Sequence, residues 1–157
     1  MQQTALYRAA KRGDTIGVRR LLSNGSDPND APKGVTALIA AATRGHTPII
    51  RMLLDAGAQP DWYALQVAAF GNHPEAVRLL LSAGAPVDPG DGTMPLLNAL
   101  KYSGIPPARQ DRVRRLLHAA GAREMPQTVL RWRWSIRYGW RWRLRRQLYR
   151  FGWRQRG

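Results

Sequence analysis

Residues 36–46 read Thr-Ala-Leu-Ile-Ala-Ala-Ala-Thr-Arg-Gly-His, and residues 4–14 read Thr-Ala-Leu-Tyr-Arg-Ala-Ala-Lys-Arg-Gly-Asp. A second motif follows and recurs along the chain: Val-Arg-Arg-Leu-Leu-Ser-Asn-Gly at 18–25, Ile-Arg-Met-Leu-Leu-Asp-Ala-Gly at 50–57, Val-Arg-Leu-Leu-Leu-Ser-Ala-Gly at 77–84 and Arg-Arg-Leu-Leu-His-Ala-Ala-Gly at 114–121. Self-similarity at a spacing of about 20 to 50 residues is typical of repeat architectures, so the sequence predicts a row of similar units.

Each unit predicts two helices. The first motif is rich in small residues such as Ala41 and Ala42, which let a helix approach its neighbours closely. In the second motif, apolar residues recur at helical spacing and offer one apolar face to the adjacent unit. A glycine closes every second motif, and we expect it to end the helix in the left-handed conformation that Gly adopts cheaply. These glycines are Gly25, Gly57, Gly84 and Gly121.

The two motifs and the turn-forming residues between units resemble the ankyrin repeat, whose period is about 33 residues and whose signature includes Thr-Pro-Leu-His. The aligned stretches here read Thr-Ala-Leu-Ile at 36–39 and Met-Pro-Leu-Leu at 94–97. The resemblance implies an all-α, ankyrin-type solenoid of four stacked helix-turn-helix units over residues 1–123. The units span about 1–32, 33–61, 62–88 and 89–123, and a cationic aromatic extension follows at 124–157.

Two units depart from the regular spacing. The link before the third unit, near Asp61, is short, so we expect it to lack most of the finger that projects between ankyrin-like units. The fourth unit instead gains residues between its helices at 103–108, where Pro106 and Pro107 forbid a continuous helix.

The composition favours some classes of partner and excludes some classes of chemical site. The chain has 25 Lys and Arg against 10 Asp and Glu, and a net charge of +15 favours polyanionic partners. It has no Cys, which excludes disulfides, thiolate nucleophiles and Cys-based zinc sites. His46 and His73 fall at the turn between helices, where backbone hydrogen bonding explains them better than chemistry does. We therefore expect a non-enzymatic binding protein with no catalytic residues, no metal site and no cofactor.

The location is predicted from segments that the sequence lacks. The first residues do not form the apolar core of a signal peptide, and nowhere do 18 apolar residues run together. We therefore expect a soluble, monomeric, cytoplasmic protein, with attachment to the periphery of a membrane as an additional expectation from its basic tail.

The resemblance also implies where a partner binds, because ankyrin-like stacks present hairpin tips and first helices along a concave groove. The residues expected there are basic or aromatic, and a partner with an acidic, partly apolar surface would suit them. A solvated basic face is the alternative. The candidate residues are Lys11, Arg12, Arg44, Trp62, Tyr63, Phe70, Lys101 and Tyr102, with Trp62 and Tyr63 assigned to a hairpin tip.

The tail from Glu124 onward has its own pattern. It contains ten Arg and five of the six Trp, and Glu124 is its single acidic residue. From 131 to 145 apolar residues alternate with residues that are mostly Arg, which is the period of a strand. From Leu144 onward, Leu144, Leu148 and Phe151 share a helical face, which predicts a short terminal helix.

Three interpretations of the tail remain open. It caps the last unit by burying its aromatic residues; it binds anionic lipid through Arg and interfacial Trp; or it binds nucleic acid by phosphate contacts and base stacking. In the last two the tail would be the active element of a membrane-active or nucleic-acid-binding effector. The residues assigned to an anionic surface are Arg131, Trp132, Arg133, Trp134, Arg137, Trp140, Arg141, Trp142 and Arg143.

Overall fold

The computed structural model describes residues 4–31, 34–88 and 96–124, without the side chain of Tyr102. Contacts divide the chain between Arg123 and Glu124. The helices of the described part are α1 (Ala5–Arg12), α2 (Thr15–Ser23), α3 (Ala37–Arg44), α4 (Thr47–Asp55), α5 (Trp62–Phe70), α6 (Pro74–Ser82), α7 (Leu96–Ala99) and α8 (Pro107–Ala119), with a 3₁₀ turn at Leu100–Tyr102 between the last two.

The helices form stacked pairs in two layers. Helix α1 packs against α2, α3 against α4 and α5 against α6. The first helices pack in the order α1–α3–α5, and the second helices in the order α2–α4–α6–α8. The described residues contain no strand. This arrangement confirms the predicted all-α, ankyrin-type solenoid.

The core is built from equivalent residues of successive units. Each first helix buries one leucine almost completely: Leu6, Leu38, Leu65 and Leu96. The second helices α4, α6 and α8 do the same with Leu53, Leu80 and Leu117. Burying a leucine side chain stabilises a fold by about 1.5–3 kcal/mol. Because each unit seals its apolar side against a neighbour, the row is the folding unit.

The first and last units differ from the inner ones at stacking positions. In α8, Arg114 stands where the earlier second helices have fully buried residues, namely Val18, Ile50 and Val77. In α2, exposed Arg20 stands where the later helices have residues packed against the core, namely Met52, Leu79 and Leu116. Terminal units with a polar outer face keep a repeat stack soluble. These exchanges therefore mark the two ends of the stack.

The link before the third unit is short, as predicted. Helix α4 ends at Asp55 and α5 begins at Trp62, whereas the link 24–36 between α2 and α3 is about twice as long. Asn29 ties the long link to the next unit. Its Nδ2 donates to the Gly57 carbonyl at 3.0 Å, and its Oδ1 accepts from the Gln59 backbone N–H at 2.7 Å. The short link confirms that the third unit lacks most of a projecting finger.

The helix ends follow local chemistry. The four glycines predicted to close the second helices all have positive φ, at 82°, 87°, 88° and 86° in chain order, which confirms that prediction. In the turn between helices, Gly45 is left-handed with φ 68°, and Asn72 takes the equivalent place in the third unit with φ 55°. Asn tolerates this conformation better than most residues.

His73 links the second and third units. Its Nε2 lies 3.3 Å from the Thr43 carbonyl oxygen, which confirms the expected backbone hydrogen bond. Its ring also fills the space beside Gly45, because a Cβ added there would lie 2.5 Å from His73 Nδ1. His46 covers Gly13 of the first unit in the same way, at 2.9 Å from an added Cβ. Each histidine therefore packs on the turn of the preceding unit.

The contact between His73 and Gly45 predicts unequal effects of two glycine substitutions. Gly45→Ala and Gly57→Ala both place a side chain at positive φ, at a cost of about 1–2 kcal/mol. A Cβ at Gly57 meets nothing within 4 Å, whereas one at Gly45 collides with the imidazole. We expect Gly45→Ala to lower the free energy of unfolding in urea by at least about 1 kcal/mol more than Gly57→Ala. Equal losses, or an excess that persists in a His73→Ala background, would contradict the packing role.

Candidate functional site

The first helices carry basic charge without acidic charge. We use the term first-helix surface for the exposed side of α1, α3, α5 and the turn 100–102. Its basic residues are all exposed: Arg8, Lys11, Arg12, Arg44 and Lys101. None of the five forms an ion pair within the described parts of the chain. No acidic residue occurs in these helices or in the turn. Along the chain the acidic residues next to this surface are the helix caps Asp14 and Asp61, whose carboxylates accept hydrogen bonds from backbone N–H groups.

Local structure accounts for where the basic residues stand. Lys11 and Arg12 lie in the last turn of α1, and Arg44 lies in the last turn of α3. Cations at a helix C-terminus interact favourably with the helix dipole, by about 0.3–1 kcal/mol. The Lys11 Nζ also lies 5.8 Å from the centre of the Tyr7 ring, within the range of a cation–π interaction.

Helix α5 has a different character, because it contains no charged residue. It buries Ala64, Leu65, Ala68 and Ala69. Its remaining side is also largely apolar: Tyr63 is 47% exposed, and Trp62 and Phe70 are half-buried. The Nε1 of Trp62 is buried without a hydrogen-bond partner among the described residues, which is uncommon for an indole donor.

Trp62 and Tyr63 lie in the first turn of α5 and not at a hairpin tip. Ala64 corresponds to Ala37 in the repeat, so α5 begins two residues earlier than α3. The cause is Asp61, whose Oδ1 accepts a hydrogen bond from the Ala64 backbone N–H at 2.7 Å and so caps the longer helix. In α1 and α3 a threonine takes the cap position, at Thr4 and Thr36.

The structure places most of the predicted partner-binding residues in one layer. Lys11 and Arg12 belong to α1, Arg44 to α3, and Trp62, Tyr63 and Phe70 to α5, and these three helices pack in that order. Lys101 is exposed in the 3₁₀ turn, and the backbone of Tyr102 ends that turn. Arg8 was missed by the sequence argument, although its place three residues before Lys11 puts it on the same helical face. The residues predicted for an anionic surface, 131–143, lie outside the described residues.

Comparison with family models agrees with this layered structure. A model of ankyrin repeats in three copies matches residues 1–62, and a model of a single ankyrin repeat matches residues 61–92. The chain belongs to the ankyrin-repeat family. No curated protein matches it. Ankyrin-repeat domains are typically non-enzymatic modules that bind other proteins.

The second helices of the ankyrin stack distribute charge differently. Their exposed arginines are interspersed with the acidic residues Asp55, Glu75 and Asp111. Glu75 of α6 pairs with Arg78 at 3.1 Å and also with Arg112 of α8, so it links the third and fourth units. Exposed pairs of this kind contribute about 0–1 kcal/mol. Acidic charge in the described helices thus lies on the opposite layer from the first-helix surface.

The described residues hold neither a metal-binding cluster nor a membrane-spanning helix. Within residues 4–31, 34–88 and 96–124, no three His, Cys, Asp or Glu side chains are grouped so that they could hold a metal ion. In the same part of the chain, no helix combines the length and the apolar character needed to cross a bilayer.

Gln110 positions the turn that carries Lys101. Its side chain is 2% exposed in α8, and its Nε2 lies within donor distance of three acceptors in the irregular segment between the helices. These are the Leu100 carbonyl at 3.2 Å, the Ser103 Oγ at 2.7 Å and the Ile105 carbonyl at 2.8 Å. The sequence argument missed this residue. The available signal was a glutamine at helical spacing from Val113 and Leu117, where an apolar residue would be expected.

We expect Gln110→Leu to destabilise the last unit, because the partly buried Ile105 carbonyl loses this donor and the Leu100 carbonyl keeps only the Ser103 backbone N–H. The loss in the free energy of unfolding should be about 1–3 kcal/mol, measured by urea denaturation. Amide hydrogen exchange at Lys101 should become faster. The exposed neighbour Arg109 provides a control, since Arg109→Leu should change stability by no more than about 0.5 kcal/mol. A Gln110→Leu variant as stable as the wild type would show that the contacts contribute nothing.

Proposed function

We propose that the ankyrin stack binds an acidic, partly apolar protein partner across its first-helix surface. The residues proposed to contact it are Lys11, Arg12, Arg44, Trp62, Tyr63, Phe70, Lys101 and Tyr102. The observation that carries the proposal is the separation of acidic charge: the first helices and the turn 100–102 hold five exposed basic residues and no acidic residue, whereas the second helices hold both kinds.

Charge and aromatic groups would contribute differently to such an interface. Basic groups steer an acidic partner into place and set the salt dependence of its association. Aromatic side chains on a preformed surface supply the larger part of the affinity, because they bury much area at little conformational cost. The competing explanation is a solvated basic face that binds nothing specific. The two explanations differ in whether binding depends on which helix layer carries the basic residues.

Charge reversal on either layer distinguishes these explanations. Arg12→Glu/Arg44→Glu and Arg19→Glu/Arg51→Glu make the same charge change at exposed positions of the same two units. The first pair lies on first helices and the second pair on second helices. With the full chain as bait in a quantitative affinity pull-down at about 0.15 M salt, the first variant should lose at least about tenfold in captured acidic proteins. The second should retain them.

Equal losses in the two charge-reversal variants would mean that net charge alone causes capture, which would overturn the proposal. Circular dichroism of both variants establishes that the helical stack is intact. Repeating the capture at higher salt measures how much of it is long-range attraction, since screening removes the interactions of exposed charges first.

For the tail we propose attachment to an anionic surface, with a peripheral position on a membrane as the cellular consequence. This proposal is supported by the composition of residues 131–143, in which Arg alternates with Trp and other apolar residues. Each Arg near an anionic lipid surface contributes about 1 kcal/mol, and Trp favours the headgroup region. Regular alternation of apolar residues would give a continuous apolar face, which suits a lipid interface better than it suits a phosphate backbone. Nucleic-acid binding and capping of the stack are the alternatives.

Tryptophan fluorescence tests the tail in the full chain. Trp62 is the single Trp outside the tail, so a Trp62→Phe variant reports from tail residues alone. Vesicles of phosphatidylserine and phosphatidylcholine should shift its emission to the blue, and pure phosphatidylcholine vesicles should not. Quenching by single-stranded oligonucleotide without a shift on vesicles would favour nucleic acid. No response to either at low salt would remove both binding functions.

A further inference from the structure

We propose that the first-helix surface binds its partner in two separate parts. Acidic residues of the partner bind across α1 and α3, and an aromatic or aliphatic residue of the partner, the anchor, binds on α5. This proposal rests on the proposed function and adds the order in which the partner's acidic and apolar residues must occur. A partner segment would need its acidic and apolar residues segregated, with the acidic residues on one side of the anchor. A partner of the same composition with these residues intermixed would bind more weakly.

The charge of the first-helix surface is unevenly placed. Four of its basic residues belong to α1 and α3, and α5 has none. Lys101 is the one basic residue on the far side of α5. An acidic stretch is therefore attracted more strongly to the side of α1 and α3. The four basic residues on that side are Arg8, Lys11, Arg12 and Arg44.

The basic row does not continue onto α5. Gly71 stands at the position of Arg12 and Arg44 in the third unit. A Cβ added at Gly71 would lie 2.6 Å from the His73 ring and 3.3 Å from the Val67 carbonyl oxygen. No side chain fits there without displacing the imidazole that bonds to Thr43. In this unit the packing of the His73 ring therefore matches a glycine and not a basic residue.

The exposed part of α5 suits an apolar anchor. Phe70 takes the position that Lys11 and Thr43 hold in the first two units, and Tyr63 is nearly half exposed about two turns further from the helix end. Val67 lies between them and is only partly buried. Large aromatic side chains left accessible on a rigid helix are typical centres of protein interfaces. Helix α5 therefore forms the apolar half of the first-helix surface.

Helix spacing gives the expected separation of the two parts. Packed helices lie about 8–10 Å apart, and an extended chain advances about 3.3 Å per residue. For an extended partner segment, acidic side chains should lie about three residues from the anchor to reach α3 and about six to reach α1. The direction of the chain is an outcome of the experiment, because either direction satisfies these distances.

Selection from a random peptide library tests the order. Peptides of about twelve residues displayed on phage would be selected on the immobilised full chain, on Arg12→Glu/Arg44→Glu and on Tyr63→Lys. Tyr63 is exposed enough for its replacement to leave the core intact, and circular dichroism checks this. Wild-type selections should contain an apolar anchor with acidic residues on one side. The Tyr63→Lys bait should lose the anchor preference and keep the acidic one, and Arg12→Glu/Arg44→Glu should do the reverse.

Two synthetic peptides of identical composition complete the test. One has the selected order, and the other has its acidic and apolar residues interleaved. Fluorescence anisotropy should show at least about tenfold tighter binding of the ordered peptide to the full chain, and Tyr63→Lys should remove most of that difference. Equal affinities, or an anchor preference unchanged by Tyr63→Lys, would overturn the two-part order while leaving acidic binding intact. Failure to select any peptide that depends on Arg12 and Arg44 would overturn the proposed function itself. Displacement by a single-stranded oligonucleotide that also depends on Tyr63 would assign the surface to nucleic acid, against both proposals.

Discussion

The burial of each helix pair against its neighbour is the interaction on which the rest of the structure depends. A single pair exposes leucines on the sides where it meets adjacent pairs, and Leu38, Leu65 and Leu80 become fully buried only within the row. Stacking also aligns the first helices, since α3 packs between α1 and α5. Side chains on these short helices then form one surface although they are far apart in sequence.

The repeat period made the overall fold predictable. Contacts of individual residues determine the features that the period did not predict. Apolar spacing and terminal glycines depend on requirements that every unit shares, so the sequence predicted the helix pairs and the left-handed helix ends. The start of α5 depends instead on Asp61, a single carboxylate that caps a helix earlier than the repeat register suggests. Likewise, Gln110 replaces apolar packing with hydrogen bonds to an insertion that the period does not describe.

For the candidate site, residue identity was easier to predict than exposure. Register alone located Lys11, Arg12 and Arg44 at the ends of first helices, where a cation interacts favourably with the helix dipole. The exposure of Tyr63 required coordinates, because α5 is apolar around most of its circumference and its sequence does not show which side packs. The sequence shows that the segments forming the first helices lack acidic residues. Only the layered structure shows that the first helices are separated from Glu75 and Asp111.

The polar ends of the stack bear on the role of the tail. A segment caps a repeat array by covering an apolar face that would otherwise meet water, and the benefit grows with the apolar area covered. At the end of this stack the equivalent positions hold Arg114 and His118, where inner units have residues such as Val77 and Leu81. A polar residue at a stacking position lowers the gain from apolar cover. This smaller gain supports our proposal that the tail binds an external anionic surface.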